Sequence, residues 1–269
     1  MARLTPTPTP HTSLATRQPL EVAPSDHQQS KRPRGPASGT TTVLQALPIG
    51  DSVRILRVAR PDGWTFQPGQ HLKLGLAGQG QHPYSIASAP HELHLEFCIE
   101  RVPGGALSPR LFILRPGDPV ELGQQAKGSL RWAQDKTVHL VIATVTGIAP
   151  FRSLILDAMH GGQLPGKVIV LHGASHAHEL PYHDELSTLA ARDPQRLQYL
   201  ATVSRAEAPQ NQGFQGGRGR VDALAQQVAA PLSGRSDVHV YACGHPGMVE
   251  SVKRMAEALD LTLTTESFA

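Results

Sequence analysis

Two glycine-containing turns that lead into helices are the first candidates for binding chemistry. One is TGIAPF at residues 146 to 151, and the other is GGALSP at residues 104 to 109, where Ser108 suits a helix N-cap and Pro109 the first helical position. Backbone N–H groups at the positive end of a helix bind anions such as phosphate, and helix caps without a ligand have the same signature. Two such turns in unlike parts of the chain suggest that two nucleotides are brought together.

Serine and arginine side chains follow the third buried strand of the C-terminal half. Ser204 and Arg205 come directly after that strand, and Arg218 and Arg220 lie in a glycine-rich stretch downstream. The ribose of a dinucleotide reaches this part of a parallel sheet, and arginine there suits a 2′-phosphate. For each single arginine, a solvated loop position is an equally good interpretation, because arginine is mostly exposed.

Four histidines, His172, His176, His178 and His183, cluster around the second buried strand. Imidazole is a common metal ligand, but this spacing fits no common ligand pattern and no cysteine lies nearby in the sequence. We therefore predict no metal site and expect surface imidazoles.

The heptapeptide HPYSIAS, residues 82 to 88, lies between two stretches that alternate apolar and polar residues. It places Pro83 and an aromatic residue where a strand would continue. Taken alone, the heptapeptide indicates a break in an edge strand. It leaves open why a tyrosine flanked by serines should stand there.

Residues 41 to 134 have the pattern of short β-strands. HLKLGL at 71 to 76 and LHLEFCIE at 93 to 100 both alternate, and Leu93 begins the apolar face of the second. Several such strands without long helices predict a small antiparallel β-barrel.

Residues 135 to 269 alternate buried strands with helical patterns. The predicted strands are VHLVIATV, KVIVLHGA, LQYLATVS, DVHVYACG and a weaker LTLTTESF, with helices near 149 to 160, 182 to 192, 221 to 230 and 246 to 259. This alternation predicts an α/β domain with a parallel sheet, whose ligands bind at the carboxyl ends of the strands. The predicted fold class is thus an antiparallel barrel followed by an α/β domain.

The net charge of +3 comes entirely from residues 1 to 40, because the basic and acidic residues of the remaining chain cancel. That segment is rich in Pro, Thr, Ser and Gln, which predicts a disordered tail, with an organelle-targeting segment as the alternative. Nucleic-acid binding through the tail is a weaker possibility, and no nucleic-acid partner is predicted.

The two cysteines, Cys98 and Cys243, are too few for a disulfide framework or an iron–sulfur cluster, and they favour a reduced, cytoplasmic setting. The longest apolar run, residues 138 to 145, is much shorter than the ~20 residues of a membrane-spanning helix. No membrane insertion is predicted.

Six stretches resemble, in order, motifs of the ferredoxin–NADP reductase family, particularly its bacterial branch. They are HPYSIAS, VPGGALSPRL, ELGQQAKGSL, ATVTGIAPFRS, VYACGHPGMVE and the terminal ESF. The resemblance spans residues 68 to 268 and implies an FAD-binding barrel followed by an NADPH-binding domain.

The resemblance also implies roles for individual residues. Tyr84 would stack on the flavin ring, and Ser85 would hydrogen-bond near the flavin atom that accepts hydride. Cys243 and Glu266 would border the nicotinamide, with Glu266 assisting proton transfer. The other implied FAD-binding residues are His82, Gly105, Leu107, Ser108 and Phe268, and the implied NADPH-binding residues are Thr146, Gly147, Pro150, Ser204, Arg205 and Arg220.

Three residues depart from the family pattern. His82 stands where the family has the arginine that clamps the FAD pyrophosphate, so weaker FAD binding is expected. Val145 replaces the first glycine of a Gly-Thr-Gly turn, and it either crowds the NADPH pyrophosphate or simply finishes the strand. Ser175 stands where related bacterial enzymes often have an arginine for the 2′-phosphate, which weakens the expected preference for NADPH over NADH.

The resulting prediction is an FAD-dependent reductase that transfers hydride between NADPH and FAD and exchanges single electrons with ferredoxin or flavodoxin. The nearest alternative is an NAD(P)H-dependent reductase component of an oxygenase, or a free-flavin reductase. An alternative of another class is a non-catalytic binding or electron-transfer module with the same fold.

Overall fold

The computed structural model describes residues 39 to 267, which contain two six-stranded sheets. The predicted tail lies almost entirely outside the described residues, and so does Phe268. Among the described residues, no helix is both long and apolar enough to cross a bilayer.

The N-terminal sheet is antiparallel, with the strand order β4-β3-β6-β1-β2-β5. Its strands are β1 (Gly39–Ile49), β2 (Val53–Ala59), β3 (His71–Gly75), β4 (Gln81–Ser85), β5 (His94–Glu100) and β6 (Pro119–Leu122), with a short helix α1 (Ser108–Phe112) between β5 and β6. A bridge between Ile86, which directly follows β4, and Phe97 of β5 joins the two ends of the sheet. The sheet is therefore barrel-like, as predicted.

One hydrophobic cluster fills the barrel. Leu72 and Leu74 of β3 are fully buried in it, as the alternation of this segment predicts. The prediction for Leu93 is wrong, because β5 begins one residue later and the Leu93 side chain is 93% exposed.

The C-terminal sheet is parallel, with the strand order β10-β9-β8-β7-β11-β12. Its strands are β7 (Val138–Thr144), β8 (Lys167–Ala174), β9 (Leu197–Val203), β10 (Gly217–Arg218), β11 (Val238–Gly244) and β12 (Thr262–Ser267), and its helices are α2 (Ala149–His160), α3 (His183–Arg192), α4 (Val221–Ala229) and α5 (Pro246–Ala258). The predicted strands and helices are confirmed to within two residues at each end. Only β10 was missed, because two residues in a glycine-rich stretch carry no periodicity.

Helices cover both faces of this sheet. On one face Phe151 and Leu154 of α2 and Leu186 of α3 pack against it, and on the other α4 and α5 do so, with Ala225 and Met248 in the cluster. The strand order reverses between β7 and β11, so the crevice at their carboxyl ends is the topological switch point where such folds bind ligands. The predicted fold class is confirmed, while the domain boundary at 134 and 135 stays a prediction.

Candidate active site

Two clefts are each lined by residues of both the barrel and the parallel-sheet half of the chain. The first, called the barrel cleft, has a volume of about 500 Å³. Its lining includes every implied FAD-binding residue that the structure describes, namely His82, Tyr84, Ser85, Gly105, Leu107 and Ser108. Residues that are separate in the sequence are thus brought together in one cavity.

The second cleft, called the sheet cleft, has a volume of about 420 Å³ and lies at the carboxyl ends of the parallel strands. Thr146, Ser204 and Arg220 of the implied NADPH-binding set line it, together with Ser175. Its position matches the switch point, so the residues at this edge are placed to bind a nucleotide.

Three residues line both clefts: Glu100, Val102 and Thr146. Ligands in the two clefts would therefore meet across a shared wall. Burial raises the pKa of Glu100, and repulsion from Glu179 adds to the shift while His245 opposes it. Sequence reasoning missed Glu100 and Val102, since they follow one another closely at the end of a strand and show no motif of their own.

The first four residues of HPYSIAS belong to strand β4, so the break that the heptapeptide alone indicates comes after Ser85 and not at Pro83. Pro83 pairs with Lys73 of β3, and β4 is an end strand of its sheet. A proline is tolerated at such an edge because its missing N–H has no second strand to reach.

Tyr84 and Ser85 sit side by side in the barrel cleft with different environments. Tyr84 is half-buried, and its burial raises the pKa of the phenol to about 12, so the ring stays neutral. Ser85 is buried, and its Oγ has no hydrogen-bond partner. An unpaired buried hydroxyl costs about 1–3 kcal/mol, which a ligand with a polar atom at this point would offset. The cleft therefore fits a flat ring with a polar edge, such as flavin.

The turn before α1 is tightly folded on itself. Leu107, not Ser108, is the N-cap residue, and the Ser108 hydroxyl instead accepts a hydrogen bond of 3.0 Å from the Val102 N–H. The Gly105 N–H donates to the Val102 carbonyl at 3.0 Å, and a Cβ on Gly105 would come within 3.1 Å of the same oxygen. The predicted cap is thus corrected, and the shape of the turn is set by its own hydrogen bonds.

The turn after β7 packs directly onto the end of β11. Residues Val145–Ile148 form a 3₁₀ turn, and a Cβ on Gly147 would overlap the carbonyl oxygen of Cys243. Gly147 and Pro150 are buried and line neither cleft, whereas Thr146 lines both. The two buried residues therefore shape the turn that presents Thr146.

Val145 adopts a left-handed backbone conformation, with φ at +44°. This region is unfavourable for a β-branched residue. The side chain lines the sheet cleft after β7 has ended at Thr144. Val145 therefore lies outside β7 and packs against two groups of buried residues, and crowding of the NADPH pyrophosphate stays a prediction.

His172 holds the carbonyl of this unusual residue. The His172 side chain is fully buried, with Nε2 2.9 Å from the Val145 carbonyl oxygen and Nδ1 3.0 Å from the Tyr199 hydroxyl. A carbonyl oxygen can only accept a hydrogen bond, so the His172 proton is on Nε2. Nδ1 then accepts a hydrogen bond from the Tyr199 hydroxyl. Burial lowers the pKa of His172 to about 4, which keeps the ring neutral. The prediction of a surface imidazole is wrong here.

The implied 2′-phosphate residues are placed differently from one another. The Arg220 side chain is 64% exposed at the sheet cleft and pairs with Asp222 at 3.0 Å. Arg205 is exposed and is not part of the lining, although its backbone N–H contacts the Ser175 carbonyl at 3.3 Å. The geometry brings Ser204 and Arg220 together but not the side chain of Arg205.

Cys243 and Glu266 are register partners in β11 and β12. Cys243 is fully buried in the cluster under α2 and α3 and lines neither cleft, and burial followed by repulsion from Glu266 raises the pKa of its thiol. Its neighbour Gly244 lines the sheet cleft, and the role of Cys243 beside the nicotinamide stays a prediction.

Glu266 lies where the parallel sheet approaches the barrel. Gly128 separates the two parts here: a Cβ added to it would come within 3.5 Å of Glu266 Oε1 and within 3.1 Å of His71 Nδ1. His71 is the register partner of Ser85. Glu266 Oε2 is buried without a hydrogen bond, and burial raises the pKa of the carboxyl to about 7. This group can take up or release a proton near neutral pH.

A buried ionic network joins α2 to the barrel. Arg152 is 4% exposed; it donates to the Ala87 carbonyl at 2.8 Å and lies 3.4 Å from Glu96 and 2.6 Å from Glu185. Burial of Glu96 would raise its pKa, but His94, Arg152 and Arg57 outweigh this effect and lower it to about 2. Sequence reasoning missed the network, because alternation marks Glu96 as outward-facing and does not show that α2 covers that face.

Comparison with known proteins settles the family. Residues 141–254 match the family described as the oxidoreductase NAD-binding domain. A ferredoxin–NADP reductase of Pseudomonas aeruginosa is 30% identical over 239 residues, which cover 84% of this chain and 91% of that protein. The chain belongs to the ferredoxin–NADP reductase family.

Other relatives agree with this membership. A flavodoxin/ferredoxin–NADP reductase of Escherichia coli is 32% identical over 201 residues, covering 70% of this chain and 77% of the relative. The fold is shared with a ferredoxin NADP+ reductase of Neisseria gonorrhoeae solved with bound FAD and NADP, at a TM-score of 0.74 and 21% identity, covering 86% of this chain and 98% of that one. Membership confirms the predicted enzyme class, a flavin oxidoreductase of this family that uses FAD and NADPH.

Proposed function

We propose that this reductase transfers hydride between NADPH in the sheet cleft and FAD in the barrel cleft, and that it exchanges single electrons with ferredoxin or flavodoxin. The observation that carries the proposal is the wall of Glu100, Val102 and Thr146 that the two clefts share. Because these three residues border both clefts, the clefts adjoin, and reacting groups held in them can approach each other without diffusing through solvent. FAD, when bound, supplies the conversion between two-electron and one-electron chemistry.

The barrel cleft holds and orients the flavin through neighbouring residues of β4. Tyr84 offers a neutral aromatic face, and the unpaired Oγ of Ser85 offers a hydrogen bond to a polar ring atom. In the turn before α1, the backbone N–H groups of Ala106 to Ser108 are the donors for the pyrophosphate, since the Gly105 N–H already donates to Val102. His82 is exposed and lines this cleft, where the family has an arginine.

Glu266 is the residue that moves a proton in this proposal. Its raised pKa keeps a large fraction of the carboxyl protonated near pH 7. Glu266 and His71 both border Gly128, and His71 is the register partner of Ser85 in the barrel cleft, so the carboxyl lies on the barrel side that carries this cleft.

The sheet cleft orients NADPH through the Thr146 turn and the residues at the ends of β8 and β9. Ser175, Ser204 and Arg220 provide hydroxyl groups and one guanidinium for the 2′-phosphate. Because Arg220 also pairs with Asp222, part of its charge is neutralised before NADPH binds. A modest preference for NADPH over NADH follows.

A matched pair of arginine variants tests this assignment. Arg220 and Arg218 are both exposed and both pair with a carboxylate at 3.0 Å, but only Arg220 lines the cleft. Arg220→Ala should raise KM for NADPH more than KM for NADH, and Arg218→Ala should change neither. Equal effects of Arg220→Ala on both nucleotides would reject the assignment, and Arg205→Ala in the same assay tests whether that exposed side chain contributes.

A second candidate function is that of an oxygenase reductase component. A toluate 1,2-dioxygenase electron transfer component of Pseudomonas putida is 32% identical over 197 residues, covering 72% of this chain but only 55% of that protein. This chain therefore spans about half of that relative's length.

NADPH oxidation with different acceptors separates the two functions. The proposal predicts faster single-electron reduction of ferredoxin or flavodoxin than of free flavin or an oxygenase component. Faster turnover with free flavin, or with an oxygenase component, would support the alternatives. A cytoplasmic location stays part of the proposal, supported by the two free cysteines.

A further inference from the structure

A cluster of metal-ligating side chains lies on the turn that follows β8, outside the lining of both clefts. His176, His178 and Glu179 place ring nitrogens and a carboxylate oxygen within 4.8 Å of one another. The two imidazole rings are stacked with centroids 5.3 Å apart and planes 5° from parallel. The three side chains therefore converge on one small volume.

Hydrogen bonds fix the carboxylate of this cluster before any ligand binds. Glu179 Oε2 accepts from the backbone N–H of His176 at 2.9 Å, and the same oxygen is 3.4 Å from His176 Nδ1. That nitrogen is buried, and the side chains of His176 and Glu179 each face the backbone N–H of the other residue, as in a capping box. Glu179 is thus oriented as metal-ligating carboxylates usually are, by a hydrogen bond from a neighbouring group, with a ring nitrogen beside it.

The backbone that carries the cluster is also held in place. The Ala177 N–H donates to Asn211 Oδ1 at 2.7 Å, and Asn211 is buried. Its amide nitrogen lies 3.1 Å from the Ser175 carbonyl and 2.7 Å from the Arg205 carbonyl. Asn211 thereby fixes the turn, so binding an ion there orders little additional chain.

The charge and chemistry of the cluster suit a divalent transition metal. The Glu179 carboxylate is close enough to the Glu100 carboxyl for the two to repel each other when both are ionised. Two imidazoles and one carboxylate form a three-ligand set that zinc uses with water in the fourth position. Hard cations such as Mg²⁺ instead prefer oxygen ligands.

We propose that His176, His178 and Glu179 bind one divalent ion of the zinc class, with water as the fourth ligand. Zinc lies about 2.0–2.2 Å from such atoms, which places tetrahedral ligands roughly 3.3 Å apart. Side-chain rotation of the exposed His178 closes the remaining distance. The sequence pattern concealed the site because its third ligand is a glutamate and two of the four clustered histidines, His172 and His183, contact Tyr199 instead.

Zinc titration of the metal-free, flavin-loaded protein by calorimetry tests the proposal. We expect one tightly bound ion per chain, and at least a tenfold weaker association in His178→Ala and in Glu179→Gln. Both side chains are at the surface or partly so, and an unchanged flavin spectrum and circular dichroism would show that the variants are folded.

His91→Ala is the matched control, because His91 stacks on His160 with ring centroids 3.9 Å apart. It removes an exposed histidine from another stacked pair and should bind zinc as the unchanged protein does. The proposal is overturned if the unchanged protein binds no zinc, or if both His178→Ala and Glu179→Gln bind zinc as tightly as the unchanged protein. It is also overturned if His91→Ala loses as much zinc affinity as these two variants do. His11 and His27, outside the described residues, are present in every variant and cannot account for a difference between them.

Discussion

Val145 shows how one residue can carry strain at the edge of a binding cleft. Its φ of +44° costs a non-glycine residue about 1–2 kcal/mol. The buried His172 donates to its carbonyl, so the surrounding structure holds the conformation in place. Strain of this kind is typical of functional sites, where the fold supports a geometry that the residue itself disfavours.

The strain at Val145 predicts an unusual order of stability for two variants. In a helix or strand, glycine is less stable than alanine by about 0.5–1 kcal/mol, but at a left-handed position glycine is favoured. Both Val145→Gly and Val145→Ala lose the side chain that packs in the cleft, and only the glycine variant loses the strain. The free energy of unfolding in urea should therefore be higher for Val145→Gly than for Val145→Ala. A more stable alanine variant would show that Val145 is unstrained.

Glu266 makes a second prediction, because its folded-state pKa of about 7 exceeds the ordinary value of 4.5. Between these two values the folded protein binds more protons at this site than the unfolded chain does, so its contribution to stability falls as pH rises. Glu266→Gln removes this loss. The Tm of the variant minus the Tm of the unchanged protein should therefore be larger at pH 8 than at pH 5. A difference in Tm that is the same at both pH values would contradict the raised pKa.

The residue types and motifs of the sequence predicted only some of the residues that line the two clefts. Tyr84, Ser85 and Thr146 line clefts as the motifs predicted, whereas Cys243 is buried under the helices and the Arg205 side chain lies outside the lining. A motif gives the position of a residue along the chain. Which face of a strand points to a cleft depends on the neighbouring elements, and this could not be predicted from the sequence.

At the scale of elements, α2 connects the two halves of the molecule through charge. Arg152 reaches from α2 into the barrel and contacts Glu96, whose side chain is fully buried in β5. Arg57 also pairs with Glu96 from β2. A buried carboxylate of this kind depends on its partners to stay ionised.

Arg152→Met should therefore destabilise the protein strongly. Removing one partner of a buried ion pair costs about 3–5 kcal/mol, because a charge is left without compensation. Arg254→Met is the control, since Arg254 forms an exposed pair with Glu250 at 3.4 Å and such pairs contribute about 0.3–0.5 kcal/mol. Urea unfolding of both variants measures the contrast. Similar small losses in both would mean that Arg152 does not hold the barrel and the sheet together.

The elements themselves were largely predictable, because their periodicity is strong. Buried parallel strands and the four helices of the C-terminal half follow directly from apolar runs and helical spacing. The errors at Leu93, Pro83 and β10 all fall at strand ends or edges, where the pattern is short. The burial of Glu96 was not predictable, since it results from a helix that is distant in sequence.

At the scale of the whole molecule, a barrel and a parallel sheet each contribute one cleft, and Glu100, Val102 and Thr146 form the wall between the clefts. Relatives in the ferredoxin–NADP reductase family match this chain over both halves. The same arrangement explains why neither half alone would suffice, because hydride transfer needs both ligands held at one wall.

The anaerobic visible spectrum of the purified protein, recorded before and after NADPH is added, tests most directly whether both clefts work together. We expect a yellow protein, from bound FAD, whose flavin absorbance falls when NADPH is added. A protein that stays colourless after incubation with FAD, or one whose flavin absorbance NADPH leaves unchanged, would contradict this expectation.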